Sequence, residues 1–78
     1  MTNDQIHSGM AALSICEVLL LALNDAGVLE EKEIIDILTD AAAAHEIAAA
    51  AGGDVINHKA TAALIRQIIT GGNSVRRP

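Results

Sequence analysis

The sequence contains no phenylalanine, tyrosine or tryptophan. Proteins that bind single-stranded nucleic acids usually stack the bases on such rings. A helix-turn-helix is also disfavoured: LNDAGVLEEKEII contains a central glycine, but Leu23 stands where a small residue is expected and Glu33 where an apolar one is expected. The acidic side chains of this segment would also repel DNA phosphates. Nucleic-acid binding therefore depends on Arg76 and Arg77 in the C-terminal tail, and we regard it as the weakest of three functional hypotheses.

Cysteine is nearly absent, since Cys16 is the only one and an internal disulfide is impossible. A chain of 78 residues buries only about 60% of its unfolded surface on folding. Small domains usually compensate with disulfides, metals or oligomerisation, so we expect oligomerisation. Cys16 lies in an apolar run without a neighbouring cation, which predicts a small buried side chain in a reducing compartment.

The first 15 residues contain no lysine or arginine, and a secretory signal needs such a basic region. The longest apolar stretch, 10–23, is interrupted by Ser14 and Glu17. It is shorter than the roughly 20 residues needed to cross a bilayer. These features predict a cytoplasmic protein without a membrane partner.

Charge is divided unevenly along the chain. Residues 1–54 carry all ten acids and one base, a net charge of 1 − 10 = −9, whereas residues 55–78 carry four bases and no acid. We expect the two parts to attract each other.

Apolar residues recur with the period of a helix and not with that of a strand, which predicts an all-α fold. Three helices are expected at about 6–24, 30–51 and 54–70, within one domain covering 1–72, followed by a flexible basic tail at 73–78. Gly27 is suited to end the first helix in a left-handed conformation, Gly52 and Gly53 follow the second, and Asp54 can cap the third. Short connections favour an antiparallel hairpin of helices one and two, with the third alongside.

The first helix is apolar around most of its circumference. Its polar residues occupy an arc of only roughly 100°, and the third helix has a similarly narrow polar stripe. A three-helix monomer would leave much of this apolar surface in water, so we predict a homodimer or homotetramer. The expected interface consists of Leu13, Cys16, Leu19, Leu20, Leu23, Leu38, His45 and Ile65.

The second helix contains the alanine-rich segment AAAAHEIAAAAGG, whose small side chains allow a neighbouring helix to approach closely. His45 lies on its apolar face, level with Gly9 or Met10 in the expected hairpin. We expect a histidine hydrogen-bonded within the core or interface, with a metal or ligand site and a pH-sensitive switch as alternatives. His58 is expected to be a first-turn surface residue near Asp54.

Motifs for metal binding and catalysis are weak. Helical di-iron bundles use Glu-x-x-His, but Ala42 and Val55 stand three residues before His45 and His58; only Asp4-x-x-His7 has a related spacing. The glycine pairs follow helices and form no phosphate-binding loop. Cys16 lies in an apolar run without an adjacent base. We therefore expect no metal, no cofactor and no enzymatic activity.

The segment from Ile15 to Ala44, with ICEVLLLAL followed by GVLEEKEIIDIL, resembles small all-helical bacterial proteins of uncharacterised function. The resemblance implies a helical fold and assigns no site. Our leading hypothesis is a non-enzymatic homo-oligomeric interaction or adaptor module, with Asp36, Asp40 and Glu46 available to an unknown protein partner. The alternative is a small ligand- or metal-binding bundle centred on His45.

Overall fold

The computed structural model describes residues 3–71, which form three α-helices and no β-strand. Helix α1 is Asn3–Asp25, α2 is Glu31–Ala50 and α3 is Val55–Gly71. The predicted all-α class with three helices is therefore confirmed. The tail predicted at 73–78, with Arg76 and Arg77, lies outside the described residues.

The connection between α1 and α2 is built around Gly27. Its φ of 75° lies in the left-handed region, where a glycine has no steric penalty, as the sequence predicted. The side-chain amide of Asn24 donates a hydrogen bond to the carbonyl oxygen of Leu29 at 3.0 Å. The backbone N–H of Val28 also returns to the carbonyl of Leu23 at 2.9 Å. The second of these bonds uses a carbonyl that the end of α1 leaves without a helical partner, and the first ties the helix end to the loop.

Gly27→Ala is expected to lower the free energy of unfolding by about 1 kcal/mol, because alanine is strained in the left-handed region. Gly9→Ala is the matched control, since Gly9 lies within α1 and an added Cβ would meet no atom within 4 Å at either glycine. Alanine at a helical position should raise stability by about 0.5–1 kcal/mol. Denaturant unfolding of both variants checks these opposite signs, and two shifts of equal sign would contradict the assignment of strain to Gly27.

Helix α2 begins without a serine, threonine or aspartate cap. Instead the carboxylate of Glu33 accepts a hydrogen bond from the backbone N–H of Glu30 at 3.2 Å, as in a capping box. Glu31 and Glu33 lie in the first turn, where negative charge is favourable at the positive end of the helix dipole.

Within residues 3–71, α2 and α3 form the most extensive helix–helix contact. Its centre consists of small side chains: Ala42 is fully buried, and Ala49 and Ala62 are nearly so. Ile34 is the one large side chain that is fully buried among the described residues. The alanine-rich segment of α2 thus forms a close helix–helix contact. The helix it contacts is α3, whereas the predicted hairpin pairs α2 with α1. The small side chains of Ala42, Ala49 and Ala62 let the backbones of α2 and α3 approach each other closely.

An ion pair joins the outer surfaces of α2 and α3. The guanidinium of Arg66 donates a hydrogen bond to the carboxylate of Glu46 at 2.8 Å, and this bond holds the pKa of Glu46 below its usual range. This ion pair joins an acid of residues 1–54 to a base of residues 55–78, the two parts of the chain that are expected to attract each other. Because Asp36 is likewise paired with Lys32 at 2.9 Å, much of the proposed acidic docking face is neutralised within the chain.

Glu46→Gln is expected to lower the unfolding temperature by no more than a few degrees, since an exposed ion pair contributes little. The pKa of Glu46 is lowered in the folded state, so its contribution is present at neutral pH and disappears as the pH falls through that lowered value. The difference between wild type and variant should therefore shrink below about pH 4. Thermal unfolding from pH 3 to 7 measures it, with Asp40→Asn as a control at an exposed acid of the same helix. A difference that stays constant over this range would contradict the prediction.

Candidate functional site

Helix α1 is the most exposed element of the described chain. None of its 23 residues is buried, although it contains the whole of the long apolar run at 10–23. Met10 is 63% exposed, Ile15 is 67% exposed and Val18 is 66% exposed. Only its C-terminal part has half-buried side chains, among them Leu20 and Leu23. The N-terminal part of α1 is therefore little covered by α2 and α3.

A groove lies between α1 and the other two helices. The groove has a volume of about 800 Å³. We call it the α1 groove, and its lining residues are Gln5, Ile6, Gly9, Met10, Ala12, Leu13, Cys16, His45, Thr61, Leu64, Ile65 and Ile68. The lining is mostly apolar and contains no charged side chain.

The opposite side of α1 carries a second apolar surface, which we call the outer patch. It consists of Ser14, Ile15, Val18, Leu19 and Ala22. The spacing of these residues places them on one stripe of the helix, nearly opposite the α1 groove at 100° per residue. Helix α1 therefore presents apolar side chains in two directions at once.

The structure divides the predicted interface residues among three environments. Leu13, Cys16, His45 and Ile65 line the α1 groove, and Leu19 belongs to the outer patch. Leu20, Leu23 and Leu38 are half-buried. The expectation that Cys16 is buried does not hold within one chain, because its side chain is exposed; the α2–α3 contact leaves this part of α1 without a covering helix.

The main polar feature of the candidate site is a pair of histidines. His45 of α2 and His58 of α3 approach through their Nδ1 atoms at 2.9 Å, and their ring centroids are 5.1 Å apart. One Nδ1 must carry the hydrogen and the other must accept it. His45 is thus hydrogen-bonded to a side chain of its own chain. His58 lies in the first turn of α3 and its backbone N–H contacts the carbonyl of Asp54, as predicted, but its side chain is half-buried against His45 and not fully exposed.

The sequence does contain a signal for this pair. His45 lies seven residues before Gly52, and His58 lies six residues after it. Two neighbouring antiparallel helices joined near Gly52 bring such positions to the same level. The signal was missed because the hairpin was assigned to helices one and two.

Other metal-ligand arrangements are not supported by the described part of the chain. Within residues 3–71, no group of three or more histidine, cysteine, aspartate or glutamate side chains could hold a metal ion. Any metal bound there must therefore take part of its coordination from water or another molecule.

By length and composition alone, α1 qualifies as a candidate membrane span. The earlier expectation rested on the apolar run at 10–23, whereas the helix extends over Asn3–Asp25. Core helices of soluble proteins and signal sequences meet the same criteria. The absence of a membrane partner stays a prediction.

No protein-family model, no curated protein and no solved structure matches this chain. No matching family therefore supports the resemblance of residues 15–44 to small helical bacterial proteins. No catalytic or binding residue is transferred from a relative.

Proposed function

We propose that this chain is a non-enzymatic helical module that associates with further copies of itself through α1 and serves as an interaction or adaptor protein. The observation that carries the proposal is that α1 has no buried residue, while it displays the α1 groove and the outer patch on opposite sides. A second copy of the chain would cover these surfaces and complete the burial that one chain leaves unfinished.

The dimensions of the chain support this proposal. Its accessible surface is 5416 Å², whereas a compact monomer of this mass exposes about 4500 Å². The radius of gyration is 13.5 Å, against about 11.5 Å for a compact domain of this length. Both values exceed those of a compact domain, in the direction expected when α1 has no buried residue.

The chemistry of α1 favours a protein over a bilayer as the covering partner. Glu17 lies within its apolar segment, and a carboxylate at the centre of a membrane is costly. Residues 1–31 contain no lysine or arginine, so α1 itself carries no basic side chain for anionic lipid headgroups. The sequence also has no tryptophan or tyrosine, the residues that usually anchor a helix at the membrane interface.

Analytical ultracentrifugation over a dilution series, together with circular dichroism, tests the proposal on the full chain. We expect a dimer or tetramer at high concentration, with dissociation and loss of helix content on dilution, because folding and association are linked. Cys16 provides a second measurement, since its thiol lines the α1 groove. Its reaction with a thiol reagent should slow as the protein concentration rises.

A cooperatively folded monomer from micromolar to millimolar concentration would overturn the proposal. Constant thiol reactivity of Cys16 over a range in which the mass doubles would instead place the interface away from the α1 groove. Flotation with zwitterionic lipid vesicles tests the alternative that lipid covers α1. A chain that floats with the vesicles as a monomer would show that it does.

A further inference from the structure

We propose that His45 and His58 form a two-imidazole binding site for a transition-metal cation of the Zn²⁺ class. Both ligands belong to one chain, so a second copy contributes no ligand atom to the site. It gives the hypothesis of a metal-binding bundle a definite pair of ligand atoms, the two Nδ1 nitrogens.

The spacing of these nitrogens is close to that of a chelate. They are 2.9 Å apart, whereas two nitrogens bound to one tetrahedral zinc at about 2.0–2.1 Å lie about 3.3 Å from each other. The ring centroids are farther apart, at 5.1 Å, so both Nδ1 atoms lie on the facing edges of the rings. The Cβ–Cγ torsion of histidine is broad, and a modest rotation of each ring would direct both lone pairs at one ion.

In the hydrogen bond between His45 and His58, a proton lies between the two Nδ1 atoms, where the metal would bind. In the neutral pair, one Nδ1 donates its hydrogen and the other accepts it. Zn²⁺ would accept a lone pair from each Nδ1, and the displaced proton would move through solvent to Nε2 of its own ring. The two new Zn–N bonds replace one hydrogen bond between the rings and two bonds from Zn²⁺ to water molecules, which are released to solvent. No net proton leaves the chain in this step.

The surroundings of the pair define the class of ion. Imidazole ligands suit Zn²⁺, Cu²⁺ and Ni²⁺, whereas Mg²⁺ and Ca²⁺ prefer oxygen. Since residues 3–71 supply no third ligand of the usual types, water completes the coordination. Both side chains are half-exposed within one chain, so water and metal can reach them there.

Zinc titration by isothermal calorimetry tests this site in the full chain. We expect His45→Ala and His58→Ala each to lower the zinc affinity by about 10²-fold, because each leaves one imidazole and removes the intramolecular second ligand. His7→Ala is the control, since His7 lies on α1 outside the pair and its loss should leave the affinity unchanged. Circular dichroism of each variant verifies that it is still folded.

Nitrogen NMR of the wild-type imidazoles keeps the test valid if an alanine variant fails to fold. Zinc should shift the Nδ1 resonances of His45 and His58 together and leave those of His7 in place. Absence of binding up to millimolar zinc, an affinity unaffected by His58→Ala in a folded variant, or a response of only one histidine would overturn the proposal.

Discussion

Ile34→Ala is expected to lower the free energy of unfolding by about 2–5 kcal/mol, the cost of removing a large aliphatic side chain from a core. Ile34 is fully buried, and the other buried residues of the described chain are alanines. No comparable side chain can therefore offset the cavity. Because single domains have only about 5–15 kcal/mol of stability, this loss should leave a substantial unfolded population at room temperature.

Ile47→Ala provides the matched control on the same helix. Ile47 is 70% exposed, so the same chemical change should alter stability by only about 0.5 kcal/mol. Urea unfolding followed by circular dichroism measures both variants, at one protein concentration, since association contributes to apparent stability. Equal losses in the two variants would show that Ile47 is covered in solution, and a negligible loss for Ile34→Ala would contradict the core described here.

The sequence was informative where local chemistry decides the structure. Gly27 marked the end of α1 because a positive φ has little steric cost for glycine, and the helical period excluded strands. The alanine-rich segment correctly indicated a close helix contact. These signals are local, since each depends on residues within one or two turns.

The choice of helix partner could not be predicted in the same way. Because α1 is apolar on several sides, its pattern gives no single direction in which it must face. The extensive contact of α2 is with α3, and the hairpin of helices one and two stays a prediction. His58 was placed on the surface for the same reason: its neighbour His45 lies on α2, and only the α2–α3 contact brings the two rings together. Tertiary contacts between equally apolar faces are settled by fine differences in packing that a single sequence does not reveal.

Leu19→Glu is expected to abolish self-association at concentrations where the wild type is oligomeric. Leu19 lies in the outer patch and is 54% exposed within one chain, so the substitution removes little packing within a single chain. The helix content of the variant should therefore equal that of wild type diluted until it dissociates. In a two-fold interface each substitution occurs twice. Two lost leucine contacts, at about 1.5–3 kcal/mol each, together with two carboxylates facing each other, should raise the dissociation constant by at least about 10²-fold.

Ile56→Glu distinguishes this effect from a general response to added charge. Ile56 lies on α3 and is 82% exposed, outside both the outer patch and the α1 groove, so the same substitution there should leave association intact. Leu13→Glu then separates the two surfaces of α1, because Leu13 lines the groove. If Leu19→Glu and Leu13→Glu both yield monomers, both surfaces are covered in the assembly; if only Leu19→Glu does, the outer patch forms the interface and the groove stays open beside the histidine pair. Retention of the oligomer in both variants would mean that the chains meet away from α1, because neither apolar surface could accommodate an unpaired carboxylate at a tightly packed contact.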